Sequence, residues 1–235
     1  MSERPVLYLI PNTLGDSPIE SVMPAELAST IREIKYFIVE NIRNARRYLS
    51  KTGGMVIDEL TFYELNKHTP REEMSHFLEP LKNGFSMGII SEAGLPGIAD
   101  PGADVVALAH QKRFIVKPLV GPSSILLALI ASGMNGQSFV FHGYLPIKPH
   151  ERIKKLKQIE AISEHENQSQ IFMETPYRNQ KFLADILQAC HQNTRLCIAA
   201  DITLPTEFIQ TKTIGEWKKQ VPNIQKRPTI FVLQR

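Results

Sequence analysis

Residues 91–102 read Ser-Glu-Ala-Gly-Leu-Pro-Gly-Ile-Ala-Asp-Pro-Gly. The glycines let a backbone take positive φ and come close to a ligand. Pro96 and Pro101 hold the segment to few shapes. Asp100 before Pro101 reads as an N-cap followed by proline in the first helical turn. The chemistry such a stretch supports is the cradling of a ligand, with the Glu92 carboxylate beside it. The plain alternative is a tight strand–helix connection. Four other segments carry similar residues: Pro11–Asp16, Glu40–Arg43, Phe141–Pro146 and Met173–Arg178. Arg43, Arg46 and Arg47 form one basic cluster, and Lys148, His150, Arg152, Lys154, Lys155 and Lys157 a denser one. Runs of this kind are solvated helix faces or, beside a site, holds for backbone phosphates.

The elements that must position these loops follow from periodicity. Short apolar, β-rich runs at 6–10, 36–39, 55–57, 86–90 and 114–118 alternate with helical patterns near 24–34, 41–51, 70–82 and 101–112. That alternation predicts βαβ units and a mainly parallel sheet. The pattern restarts after Pro118. Residues 125–131 are apolar nearly all round and predict a buried helix. Strands are expected at 138–142, 170–173, 195–200, 207–210 and 228–233, with helices near 149–163 and 178–190. Late strands without a helix between them predict a mixed sheet. The expected domains are 1–117 and 121–235, both α/β, linked by 117–121. Each of the five loops follows a strand candidate, so in a mainly parallel sheet the loops can gather at one carboxyl edge, where open α/β sheets bind ligands.

Composition sets the outer bounds. The chain has 235 residues, 43% hydrophobic and 22% charged, with net charge +3, which is ordinary globular usage. The charge permits an anionic partner without demanding one. No apolar run reaches the roughly 18 residues of a membrane span. The N-terminus has no secretory-signal pattern, and Cys190 and Cys197 read as reduced thiols of a cytoplasmic protein. The seven histidines are scattered and the cysteines make no ligand spacing with them, so no metal is expected.

Glu92–Gly102 resembles the D-A-G-x-P-x-I-S-D-P-G signature of the ribosomal RNA small subunit methyltransferase I family, within the tetrapyrrole-methylase-like superfamily. Further matches come in the same order. Val120–Ser124 resembles P-G-P-S-A, and Ala128–Gly133 keeps A-L-x-x-S-G. Phe141–Lys148 resembles F-x-G-F-L-P-x-K, with Arg152 at the expected basic position, and Met173–Arg178 resembles Y-E-S-P-H-R. The resemblance spans nearly the whole chain. It implies a tetrapyrrole-methylase-like fold of two α/β domains with a cleft between them, an S-adenosylmethionine (SAM) site in that cleft, and a homodimer. It also implies methyl transfer to a ribose 2′-hydroxyl of ribosomal RNA in the small subunit. Departures fall in other motifs and at the head of Glu92–Gly102 itself. Ile10–Ile19 stands where the family has A-T-P-I-G-N-L-x-D-I, Val39–Arg43 where it has A-E-D-T-R, Glu92 where it has Asp, and Ala200–Leu204 where it has R-E-L-T-K. These changes motivate two further readings, methylation of a small molecule and a non-catalytic SAM-binding assembly factor.

Methyl transfer needs positioning and exclusion of water more than protein-borne chemistry. Leu95, Pro96, Ile98 and Ala99 can form an apolar wall for the cofactor, and Gly94 and Gly97 permit close approach. Ser123 and Ser124, opening a helix, offer hydroxyls and amides to a carboxylate, or simply cap that helix. His142, Gly143, Thr175 and Pro176 are the cofactor contacts that the other matched motifs imply. A ribose hydroxyl benefits from a general base. The candidates are Glu92, Glu40, Glu174 and Asp16, with Glu92 placed best. Glu40 and Glu174 are expected to pair with Arg43 and Arg178 or to accept loop amides. Arg43, Tyr144, Lys148, Arg152 and Arg178 are the expected substrate contacts, with Tyr144 and Tyr177 available to stack a base.

Overall fold

A computed structural model describes residues 4–66 and 68–235. It divides into two compact units, Met1–Ser123 and Ser124–Arg235. The first unit runs β1 (Val6–Ile10), α1 (Glu26–Arg32), β2 (Tyr36–Val39), α2 (Ile42–Thr52), β3 (Thr61–Glu64), α3 (Arg71–Phe77), α4 (Glu79–Lys82), β4 (Met87–Ile90), α5 (Gly102–Gln111) and β5 (Ile115–Pro118). Its sheet has the order β3-β2-β4-β1-β5, and every pairing is parallel. All four residues of the central strand β4 are buried. Ile10, Phe37 and Ile90 pack with Leu27 and Ile31 of α1 and Ala45, Tyr48 and Leu49 of α2. Leu7, Ile38 and Ile89 pack with Met74, Phe77 and Leu81 of α3 and α4 and with Val105 and Leu108 of α5. Helices therefore cover both faces, as a parallel sheet requires.

Two elements of this unit differ from the sequence expectation. The strand expected at 55–57 is absent. Ile57–Glu59 forms a 3-10 turn, and Met55 and Ile57 pack onto the α1–α2 core from outside the sheet. The strand is Thr61–Glu64, whose Thr, Phe and Tyr suit a half-buried edge beside β2. The helix expected over 70–82 is two, because Pro80 lacks the N–H that a continuous helix would need.

The second unit runs α6 (Ser124–Ser132), β6 (Phe139–Tyr144), α7 (Pro149–Glu166), β7 (Ser169–Met173), α8 (Asn179–Ala189), β8 (Arg195–Ala200), β9 (Phe208–Thr213), α9 (Ile214–Lys219) and β10 (Thr229–Gln234). Its sheet has the order β6-β7-β10-β8-β9. Only the β6–β7 pairing is parallel; β10 pairs antiparallel with β7 and β8, and β8 with β9. Phe172, Phe182 and Phe231 meet at the centre of its core, and Trp217 packs into the same cluster.

α6 corrects a third expectation. It buries Ala128, Leu129 and Ser132 but leaves Leu126 and Ile130 exposed. It lies against β8, β9 and β10, and a helix on one sheet face buries one stripe whatever its composition. α9 had no counterpart among the sequence patterns. Its signal is a capping box: Thr213 accepts from the Glu216 amide, and Glu216 accepts from the Thr213 amide.

Candidate active site

Chain topology locates a crevice inside the first unit. β1 and β4 are neighbours, but the helix after β1 lies on one face of the sheet and the helix after β4 on the other. Loops leaving two such strands turn to opposite faces beyond their carboxyl ends, and here they are first joined at a bridge between Asn12 and Gly94.

Asn12 ties these loops together. Its amide donates to the Gly94 carbonyl at 2.8 Å, and the Gly94 amide returns a bond to the Asn12 carbonyl at 3.1 Å. The Asn12 side-chain amide donates to the carbonyls of Ser91 (3.0 Å) and Glu92 (3.2 Å), while its oxygen accepts from the Thr13 amide at 2.8 Å. Gly94 adopts φ +68°, a conformation that L side chains rarely take. A third loop closes on the first: a Cβ on Gly121 would come within 2.2 Å of Pro11. Asn12→Ala is expected to lower the stability of the first unit by about 2 kcal/mol, since one buried and one part-buried carbonyl and an amide lose their partner. Urea denaturation followed by circular dichroism measures it.

The rest of the 91–102 loop is ordered from within. Asp100 accepts from the Gly97 amide at 2.9 Å and from the Gly102 amide at 2.6 Å. It is thus a staple of the loop, and the N-cap position of α5 belongs to Pro101. Ala99, at φ +62°, adopts the left-handed conformation that the staple imposes. Pro96 is buried, Leu95 half-buried, and Ile98 and Ala99 are exposed. The loop therefore presents apolar side chains and open backbone outward.

Glu92, at the head of the loop, is exposed and held at two points. Its Oε2 accepts from the Asn44 side-chain amide at 2.6 Å, and its backbone amide donates to Glu40 Oε1 at 3.1 Å. Glu40 thus accepts a loop amide, and Arg43 remains exposed beside it. Burial raises the Glu40 pKa; the bond from the Glu92 amide opposes this, and the Asp100 and Glu92 charges add to it. Asn41, where the resemblance has a carboxylate, caps α2 by accepting from the Asn44 amide at 3.1 Å. Asparagine caps as well as aspartate, so the exchange leaves the helix start intact.

Glu92 and Asn44 border an open pocket of about 540 Å³ whose walls are the β1 loop and α2. The sequence reading singled out neither this pocket nor Asn12, Asn44 and Lys51, which help to line it. Tyr48, whose hydroxyl donates to the Pro11 carbonyl at 2.7 Å, braces α2 against the loop, and burial raises its pKa.

Other named residues lie in the second unit, at the neighbouring ends of β6 and β7. Gly143 takes φ +64° where the β6–β7 register shifts. His142 Nε2 is 2.6 Å from Gln170 Oε1, and burial lowers its pKa, with the Gln170 bond opposing. Tyr144 and Tyr177 are exposed. Glu174 is buried and accepts from Arg178 and from the Thr175 amide, both at 2.6 Å, so the expected Glu174–Arg178 pair forms. The Pro176 carbonyl accepts from the Lys226 amide at 2.9 Å. Lys148 is exposed, 3.3 Å from Glu151. Ser123 is buried at the end of the first unit, and Ser124 opens α6.

Arg152 corrects the reading of it as a substrate contact. It is 4% exposed, pairs with Asp185 through Nε at 2.8 Å, donates to the Ile147 carbonyl at 2.7 Å and lies over the Phe182 ring. Its donors are committed to holding α7, α8 and the β6–α7 loop together.

Among the described residues no helix is long and apolar enough to cross a membrane, and no group of three or more His, Cys, Asp or Glu could hold a metal. No family model matches the chain. The structure is similar to that of the methyltransferase CobJ, with a TM-score of 0.64 at 15% identity, covering 99% of this chain and 95% of that one. The architecture is thus the two-domain α/β fold of the tetrapyrrole methylases, as expected. In sequence the chain is 31% identical over 210 residues to a ribosomal RNA small subunit methyltransferase I from Streptococcus pyogenes, covering 89% of this chain and 69% of that one. A Vibrio cholerae protein of the same name is 29% identical over 232 residues, covering 97% and 77%. The chain belongs to the ribosomal RNA small subunit methyltransferase I family. It is a methyltransferase whose donor is S-adenosylmethionine.

Proposed function

We propose that this enzyme transfers the methyl group to a ribose 2′-hydroxyl of small-subunit ribosomal RNA, as a cytoplasmic homodimer, with Glu92 as the acceptor's base. The observation that carries this reading is the Glu92 carboxylate, exposed, oriented by Asn44 and facing a pocket large enough for a nucleotide.

Bound SAM supplies an electrophilic methyl group on a sulfonium. The residues around Gly94 suit such a guest, since the loop offers bare backbone at Gly94 and Gly97 and apolar side chains at Leu95, Pro96, Ile98 and Ala99. Ser123 and Ser124 are the proposed partners for its amino-acid end, and His142, Gly143, Thr175 and Pro176 the proposed contacts from the second unit. Asn44 holds one Glu92 oxygen and leaves the other to accept the hydroxyl proton at the pocket that Glu92 lines. Arg43, Lys148 and Arg178 are the proposed RNA contacts, with Tyr144 stacking a base.

The test is transfer of label from methyl-tritiated SAM to small ribosomal subunits from cells lacking this gene, followed by mapping of the methylated nucleotide. Label on a ribose oxygen of the small-subunit RNA is the expected result. Label confined to a small-molecule fraction would assign a different acceptor, and SAM binding without transfer would leave an assembly factor.

A further inference from the structure

The pocket beside Glu92 has a charge pattern that the methyl donor does not require. α2 carries Arg43, Arg47 and Lys51 at successive i, i+4 positions, which stack along one face. Arg47 and Lys51 line the pocket together with Asn44, so the cations begin about one turn beyond the residue that holds Glu92 and extend through a second turn. Arg46, between them in sequence, faces elsewhere: it pairs with Asp58 and lies near the Phe62 ring. Arg47 is exposed and makes no hydrogen bond or ion pair among the described residues. Lys51 is held across the pocket by Asp16 of the β1 loop at 2.6 Å, and Lys51, with Arg47 behind it, lowers the Asp16 pKa. Leu14 adds an apolar face on the same wall as Asp16.

A carboxylate at one end, two cations along the side and an apolar face form a complement to one ribonucleotide: hydroxyl, flanking phosphate and base. We propose that this pocket seats the acceptor nucleotide, with Arg47 and Lys51 clasping a flanking phosphate, and that Asp16 holds Lys51 in position until the phosphate takes its place. This rests on the RNA reading of the function. The Asp16–Lys51 pair is solvent-exposed on the Asp16 side, and exposed pairs open at little cost. The exchange therefore demands no rearrangement of the fold, only rotation of one lysine.

The experiment uses the full-length protein, methyl-tritiated SAM and under-methylated small subunits, read as KM and kcat between 50 and 200 mM salt, with SAM affinity by calorimetry. Arg47→Gln and Lys51→Gln are each expected to raise KM for the subunit about tenfold, leave kcat and SAM affinity within twofold, and flatten the log–log salt slope by about one unit. Asp16→Asn, which frees Lys51, is expected to lower KM. Lys35→Gln, at an exposed lysine just before β2 that is not among the residues lining the pocket, serves as the unchanged control. Unchanged KM in both cation variants, with wild-type protein active on RNA, would overturn the assignment and leave the proposed function standing. A loss confined to SAM affinity would give the pocket to the donor and overturn it equally. Wild-type protein inactive on RNA would defeat the function reading, and this assignment with it.

Discussion

Glu92→Gln is expected to lower kcat on small ribosomal subunits by about 10²- to 10³-fold while leaving SAM affinity within twofold. Glutamine keeps an oxygen to accept the Asn44 amide, so the local geometry survives. What disappears is the ability to accept a proton from the hydroxyl. The split between turnover and donor affinity is the diagnostic. A carboxylate serving only to hold Asn44 would be replaced by glutamine with little change in either quantity. Single-turnover label transfer, paired with calorimetric titration of SAM, separates the two; an unchanged kcat would remove Glu92 from the chemistry.

The second large effect is on stability. Arg152→Met is expected to destabilise the second unit by about 3–5 kcal/mol, because it leaves Asp185 as a nearly buried, unpaired carboxylate and frees the Ile147 carbonyl. A thermal scan should show the transition of this unit lowered by about 10 °C or more. Combining it with Asp185→Leu should recover most of the loss, since an apolar pair of similar volume removes the stranded charge. If instead the single variant raised the KM for RNA with an unchanged melting profile, Arg152 would be a substrate contact after all.

Arg152 also marks a limit of what sequence can convey. Its place in a basic run made it look like a phosphate ligand, yet its partner lies 33 residues away on α8. Local signals carried well elsewhere. The apolar runs at 6–10, 36–39 and 195–200 match strand bounds residue for residue, because a buried strand needs a short continuous apolar run. The same rule failed at 55–57, where an equally apolar run packs onto the core from a turn while Thr61–Glu64 takes the edge of the sheet. The Gly and Pro of the motif at 91–102 made two readings legible, a ligand loop and a tight strand–helix connection. Its internal staple at Asp100 and its clamp at Asn12 were not legible. Hydrogen bonds across 79 and 80 residues, such as those from Asn12 to Ser91 and Glu92, exist only once β1 lies beside β4.

That pairing has a further consequence, in time. Leu7 of β1 registers against Met87 of β4, and Val6 against Ile115 of β5. At about 5–20 residues per second, β4 is made roughly 4–16 s after β1, and the neighbour of β1 on its other side comes later still. The strand on which the whole first sheet closes is thus the first made and among the last satisfied. During synthesis the enzyme carries an unpaired apolar strand for many seconds, until β4 and β5 are made to flank it.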